Sequence, residues 1–318
     1  LKLMSSKKYD ATIVGLYVLD ILGRPVSEIP KGGDLAYIDE LRLTVAGTAG
    51  GTIIDCAKLG LSTLAVGAVG DDEKADFVVS VLEKFGADTA GFERIKGVPT
   101  SSTILNIRPN GERPALHLRG ACDYFLPPNK EKLNIFDCKV FHLGGTGLLK
   151  KLDGSASVEL LKDAKENECI TTWDLIGATE STIDIVKPLL PHIDYFMPSI
   201  EEASIMCGLD DPKDIAKYYL DNGVTNCVLT MGGEGSLFVN KDETIKTPAF
   251  DINVVDTTGC GDAFDAGMIT SLINDFDLEK SLKFATTTSG LVATGLGSDA
   301  GIIDFDDTIN KMNTLKIK

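Results

Sequence analysis

The chain has 318 residues, 43% hydrophobic and 25% charged, a composition that suits a folded globular protein and excludes wholesale disorder. Its formal net charge of -16, without any Lys/Arg cluster, argues against a nucleic-acid binder, because phosphate neutralisation needs a basic face. No stretch approaches about 18 consecutive apolar residues, so no membrane span is expected, and the length suits one large domain, two ordinary ones or one α/β unit with an insertion.

The opening "LKLMSSKKYD" lacks an apolar leader core and reads as a short extension before Met4. "DATIVGLYVL" reads as a buried first strand that ends at Asp20. "GGDLAYIDELRLTVAG" alternates loosely, which predicts strands with one exposed face. "GTAGGTIIDCAKLG" passes from a glycine-rich loop into a helix stopped at Gly60. A second buried strand, "STLAVGAVG", precedes the amphipathic helix "DDEKADFVVSVLEKFG", which has acids in its first turn. Between Gly97 and Asp123 the pair Asn110-Gly111 separates two alternating runs and predicts a hairpin. Strand and helix patterns then alternate from "CKVFHLGG" to "TNCVLTMGG", which predicts a parallel sheet covered on both faces, with two β-rich insertions lying away from it.

Seven cysteines without a C-x-x-C pair read as reduced thiols of a cytosolic protein. Three histidines and no H-E-x-x-H leave no dedicated zinc site. The dipeptide Gly-Lys and the pattern G-x-G-x-x-G are both absent, which disfavours Walker-type and dinucleotide binding.

The stretch "DTTGCGDAFDAG" follows "INVVD", which reads as a strand, and runs into helical spacing through Phe264, Met268, Leu272 and Phe276. Its glycines therefore occupy a strand-to-helix turn whose unpaired N–H groups at Gly259, Cys260 and Gly261 make an anion pocket at the positive end of a helix. Asp262 stands at the helix start, where the dipole favours its ionised, proton-accepting form. A carboxylate beside an anion hole suits phosphoryl transfer to an alcohol. An ordinary capping aspartate on a glycine turn is the alternative that the residues alone leave open.

"VVDTTGCGDAF" closely resembles the D-T-x-G-A-G-D signature of the PfkB, or ribokinase-like, carbohydrate kinases. "AGTAGGTIIDCAKLG" followed by "AVGAVGDD", then "PSIEEA" and "TMGGEGSLF", are similar in order and spacing to that family's further motifs. The resemblance implies an α/β, ribokinase-like three-layer sandwich with a mostly parallel central sheet, in a single domain over 1–318 with a β-rich lid at 23–45 and 97–123. It implies an ATP-dependent kinase acting on a primary hydroxyl of a sugar or sugar-like substrate. A nucleoside kinase of the same family and a catalytically silent sugar- or nucleotide-binding regulator stay open beside it; a dehydrogenase is a distant further alternative.

By the same resemblance Asp262 is the catalytic base, and Gly259, Cys260 and Gly261 form the anion hole. Thr230, Gly232, Gly235, Thr287 and Gly290 lie along ATP. Asp20, Gly47, Thr48 and Gly51 bind the acceptor, and Glu202 organises hydrated Mg²⁺. Asp256, with Thr258, Gly297 and Gly301, matches a monovalent-cation (K⁺) loop. The chain departs from the pattern at Ser199 and Gly51, where members carry Asn, at Cys260, and at "WDLIGA", which lacks the Asn and Arg of D-P-N-x-R. At Gly51 and "WDLIGA" two polar handles for the acceptor are missing, which leaves the substrate open, and Ser199 alters the polar network expected around the metal. A reactive Cys260 is the sharper alternative to a merely tolerated one. Arg108, Arg113 and Arg119 read as solvated strand charges; entry of one into the site would point to a sugar phosphate. Neither nucleic acid nor membrane is an expected partner, the lid is the expected face of a homodimer, and the location is cytoplasmic.

Overall fold

The computed structural model describes residues 7–110 and 112–318, so the opening extension before Met4 and Gly111 of the expected turn lie outside the described residues. In chain order the strands are β1 (Tyr9–Gly15), β2 (Val18–Arg24), β3 (Glu40–Ala46), β4 (Thr63–Gly70), β5 (Asp88–Ile95), β6 (Ser102–Asn106), β7 (Ala115–Leu118), β8 (Cys138–Thr146), β9 (Ile170–Leu175), β10 (Tyr195–Phe196), β11 (Asn226–Thr230), β12 (Ser236–Val239) and β13 (Thr244–Thr247). The helices are α1 (Thr48–Lys58), α2 (Glu73–Lys84), α3 (Ser155–Glu166), α4 (Thr182–Val186), α5 (Ile200–Cys207), α6 (Pro212–Asp221), α7 (Cys260–Ile273), α8 (Leu278–Val292) and α9 (Phe305–Thr314).

Among the described residues two sheets form. The larger runs β13-β12-β11-β10-β9-β8-β1-β4-β5; it is parallel from β11 to β5, with β12 and β13 antiparallel at one edge. Parallel neighbours require crossovers, and helices cover both faces. Alternate residues of β4 divide between the layers: Leu64, Val66 and Ala68 enter one core, with Leu161 of α3 and Ile215 of α6, while Ala65 and Val69 enter the other, with Ile53 of α1 and Ile269 of α7. Trp173, Phe196 and Tyr219 stack in the first core at centroid distances of 5.0 and 4.4 Å. The smaller sheet, β3-β2-β6-β7, stands apart from the larger.

Four expectations are corrected. The first apolar run is two strands: at Gly15 (φ 138°) the Gly144 carbonyl sits where a Cβ would be, and the chain leaves the large sheet to enter the small one as β2. Asp20 therefore lies inside β2, not at the end of the first strand. An apolar run buried in both sheets carries no mark of that break. In "GGDLAYIDELRLTVAG" only Glu40–Ala46 is strand, while Leu35 and Tyr37 are exposed outside it. The glycines of "GTAGG" are helical from Thr48 onward. Among the described residues "INVVD" pairs with no strand: the N–H groups of Val255 and Asp256 donate to the Ala293 carbonyl just past α8, at 2.8 and 3.3 Å. No helix among the described residues is long and apolar enough to cross a membrane.

Candidate active site

Helix α7 is buried along most of its length between α1 and α8, and its start forms the centre of the site. Gly259 is the N-cap in the left-handed region (φ 78°), and a Cβ there would strike Ser298. Among the described residues the N–H groups of Gly259 and Gly261 meet no backbone acceptor, whereas that of Cys260 bonds to the Thr257 carbonyl at 3.3 Å. Two of the three expected donors are therefore free to meet an anion, and the third is already engaged. Asp262 is not a cap, since the N-cap position belongs to Gly259 and Asp262 follows it by three residues.

The expected ionisation of Asp262 is corrected as well. Burial, then the neighbouring Asp55, Asp20 and Glu202, push its carboxyl well above the ordinary range. A helix dipole contributes about 1 kcal/mol, and moving a carboxylate out of water costs several, so burial prevails. Burial likewise pushes the Cys260 thiol up to about 12, which removes it as a nucleophile.

Gly51 faces this carboxylate. A Cβ at position 51 would collide with the Asp262 side chain, so the glycine that replaces the expected Asn makes room for it. Gly47 caps α1 with φ 82°, pressed on the Leu16 carbonyl. The Thr48 hydroxyl is buried against Gly144 and Gly145, without a hydrogen-bond partner among the described residues, rather than presented to an open pocket. In the small sheet Asp20 lies in a cross-strand row with Thr44, Thr103 and His117. Burial raises the Asp20 carboxyl to about 7; Asp256 adds to the rise, while Thr103 and Arg113 oppose it.

A cavity of about 250 Å³ leads to the start of α7 and is floored by Cys260 and Gly261. Thr230, Gly232 and Gly235 line one wall, and Thr286, Ser289, Gly290 and Ala293 of α8 and its end line another. The α8 residues recur at i, i+3, i+4 and i+7, one face of a helix. Thr287, expected on this wall, is one position out of that phase: it is fully buried, and its hydroxyl donates to the Lys283 carbonyl.

Glu202 is the third residue of α5 and forms a reciprocal capping box with Ser199, whose hydroxyl donates to it at 2.9 Å; it also accepts the Gly177 N–H at 3.2 Å. The Asn-to-Ser change thus keeps this carboxylate tied down. Asp174, at the end of β9, was quoted in "WDLIGA" only for what surrounds it, yet it is a buried member of the site, 3.9 Å from where a Gly261 Cβ would stand. Burial and then Glu202 and Asp262 push its carboxyl well above the usual range. Asp265, one turn beyond Asp262, is buried beside Asp174, and burial drives it in the same direction. An aspartate near the end of a short strand that leads into a glycine loop was the available signal. Among the described residues no three His, Cys, Asp or Glu side chains form a metal cage by themselves.

Asp256 Oδ1 accepts the Thr258 N–H and hydroxyl at 3.0 and 2.7 Å, and Oδ2 accepts the Gly297 N–H at 3.0 Å. Gly301 (φ 73°) packs against the Leu291 carbonyl. Arg108 and Arg119 are solvated, bonded to Ser27 and Asp123. Arg113, its side chain 33% exposed, also reaches across to donate to Asp256 at 3.2 Å and to the Thr258 hydroxyl.

Residues 11–304 match the family described as pfkB family carbohydrate kinase. An ATP-dependent 6-phosphofructokinase of Thermoanaerobacterium thermosaccharolyticum is 26% identical over 317 residues, covering 98% of this chain and 95% of that protein. A deoxyribokinase of Salmonella typhi is 24% identical over 296 residues, covering 92% and 94%. The structure of Arabidopsis thaliana ribokinase complexed with ribose and ATP superposes with a TM-score of 0.83 at 21% identity, covering 96% of this chain and 98% of that one, which establishes the ribokinase fold. With the family matched along nearly the whole length of the chain, this protein belongs to the pfkB family of carbohydrate kinases.

Proposed function

We propose that this kinase transfers the γ-phosphoryl group of ATP to a primary hydroxyl of a sugar held between the small sheet and the start of α7. One observation carries the reading: the cavity ends on the free N–H of Gly261, beside the Asp262 carboxylate, with Asp20 of the small sheet near enough to raise the Asp262 carboxyl. In this reading ATP occupies the cavity along Thr230, Gly232, Gly235 and Gly290, its terminal phosphate against Gly259 and Gly261. Asp20 accepts hydrogen bonds from acceptor hydroxyls, and Asp262 takes the proton of the attacking one. Gly47 and Gly51 serve by what they lack, leaving space for backbone and for Asp262.

Asp174 and Glu202 are hard oxygen donors beside the anion hole and would hold hydrated Mg²⁺, with water and phosphate as its remaining ligands. When bound, Mg²⁺ supplies positive charge to the phosphates. Burial, with the neighbouring Asp55, Asp20 and Glu202, keeps Asp262 towards its neutral form, so the base is armed only where positive charge gathers next to it.

The small sheet is the lid in this reading, an insertion in one α/β unit. Its outer face carries the cross-strand row Leu43, Ile21, Ile104 and Leu116, flanked by exposed Leu41 and Leu118. Such an apolar face fits pairing with a second copy of the chain. The seven cysteines are free, which fits a reducing cytoplasm.

The reading is tested by measuring ADP release with Mg²⁺ and ATP over ribose, deoxyribose, fructose, fructose 6-phosphate, 2-keto-3-deoxygluconate, adenosine, inosine and cytidine. Turnover of a sugar is expected. Turnover of nucleosides alone would make the protein a nucleoside kinase, and binding without turnover across the set would make it a silent binder.

A further inference from the structure

Two arginines of the small sheet reach the loops that frame the start of α7. Arg113, between β6 and β7, donates through Nη1 to Asp256 Oδ1 at 3.2 Å and to the Thr258 hydroxyl; the Asp256 side chain is 1% exposed. Arg42, on β3, donates to the Leu296 carbonyl and pairs with Asp299 at 2.8 Å, and Asp299 also accepts the Thr44 hydroxyl at 3.0 Å. Ser298 donates to the Val45 carbonyl at 3.0 Å, and Lys58 to the Asp299 carbonyl. The segments 256–259 and 296–299 are thus both bound to side chains or backbone of the small sheet and its neighbour α1.

The donor set that a monovalent cation would need is not free. Such an ion is held by a carboxylate and several carbonyl oxygens converging on one point. Here both oxygens of Asp256 are engaged, and Gly297 turns its N–H, not its carbonyl, to that carboxylate. The Gly297 carbonyl accepts the Ala300 N–H at 3.1 Å, and the Leu296 carbonyl is held by Arg42. A cation entering between these groups would also meet two fixed guanidinium charges. The residues Asp256, Thr258, Gly297 and Gly301 therefore do not fit K⁺ in this chain.

We propose that the Arg113 guanidinium takes the place of a monovalent cation. It neutralises Asp256 and fixes Thr258, the residue before the glycine that opens α7, so the anion-binding turn is set by docking of the small sheet rather than by an ion. Arg113 is a positioning residue in this proposal: it acts through Asp256 and Thr258, and its charge also reaches Asp20 of the small sheet. Its effect on rate rests on the phosphotransfer reading; the claim about the ion does not.

The experiment compares KCl, NaCl and choline chloride at equal ionic strength, reading the Tm of the ligand-free protein and, separately, ADP release. The wild-type Tm is expected to be the same in all three salts, and the rate to agree within about twofold. Arg113→Ala is expected to lower kcat about tenfold, the loss of one charge-assisted hydrogen bond, with little change in the KM for ATP, and Arg113→Lys to recover most of it. A wild-type Tm raised by K⁺ over choline, or full kcat in Arg113→Ala, overturns the proposal. If Arg113→Ala does not fold, the salt series on the wild type and the rate of Arg113→Lys, expected between wild type and one-tenth of it, decide. Absence of turnover with every acceptor would defeat the kinase reading and leave the Tm comparison standing on its own.

Discussion

The cavity before α7 and the inner face of the small sheet are made of different materials. The cavity is walled by glycines, small hydroxyl residues and backbone from β11, its following turn and one face of α8, and it ends on N–H groups that point outward because a helix begins there. The sheet presents side chains from four strands: Asp20 from β2, Thr44 from β3, Thr103 from β6 and His117 from β7. Backbone donors serve any triphosphate, whereas a row of side chains is specific to the hydroxyls it meets. In the proposed reading the common chemistry accordingly belongs to one half and the choice of acceptor to the other.

Asp262 stands where the halves meet, so removing it has the largest expected effect. Asp262→Asn should reduce kcat by about 10² to 10⁴, the usual contribution of a positioned base, while the KM for ATP changes little. Retained activity would take Asp262 out of the chemistry; a lost affinity for ATP would mean that the halves are not separable.

Asp20→Asn tests the acceptor half. Ordinary Asp has a pKa near 3.9, and folding raises that of Asp20 to about 7, so the folded chain holds the proton more tightly. The stability tied to this group is greatest below about pH 4 and is lost as pH rises through about 7. The Tm of the ligand-free protein should therefore fall between about pH 4 and 7 and level off above that, and fall less steeply in Asp20→Asn. An ionised Asp20 accepts acceptor hydroxyls better, so wild-type kcat/KM for the acceptor should climb through about pH 7. The variant should be about tenfold lower at pH 8 and flatter. Parallel profiles in the two proteins would sever Asp20 from acceptor binding.

The smallest effect is expected from the outer face of the same sheet. Leu116→Glu, at a residue 65% exposed, should alter stability by no more than about 0.5 kcal/mol and leave kcat unchanged, yet shift the hydrodynamic mass from dimer to monomer. A monomeric wild type would confine the role of the sheet to its inner face.

The strand-helix alternation, the glycine turn before α7 and the glycine turn after β11 were legible as local pattern. Each is a continuous stretch whose periodicity or turn chemistry states its own conformation. Less legible were features that depend on what another segment brings. The break at Gly15 comes from the Gly144 carbonyl, the need for glycine at position 51 from Asp262, and the inward face of Thr287 from the phase of α8 against α7. Arg113 reads as a solvated charge because its partner lies 143 residues away.

From its sequence alone the chain determines its family, its alternation of strands and helices and the residue types around α7, because these are properties of contiguous segments. Only the tertiary structure decides their charge states and partners: that Asp262 is buried among carboxylates, that Asp174 joins them, and that a guanidinium meets Asp256. Burial and Coulomb interactions act through space, and their strength is set by distances and by water exclusion that exist only once the segments have packed.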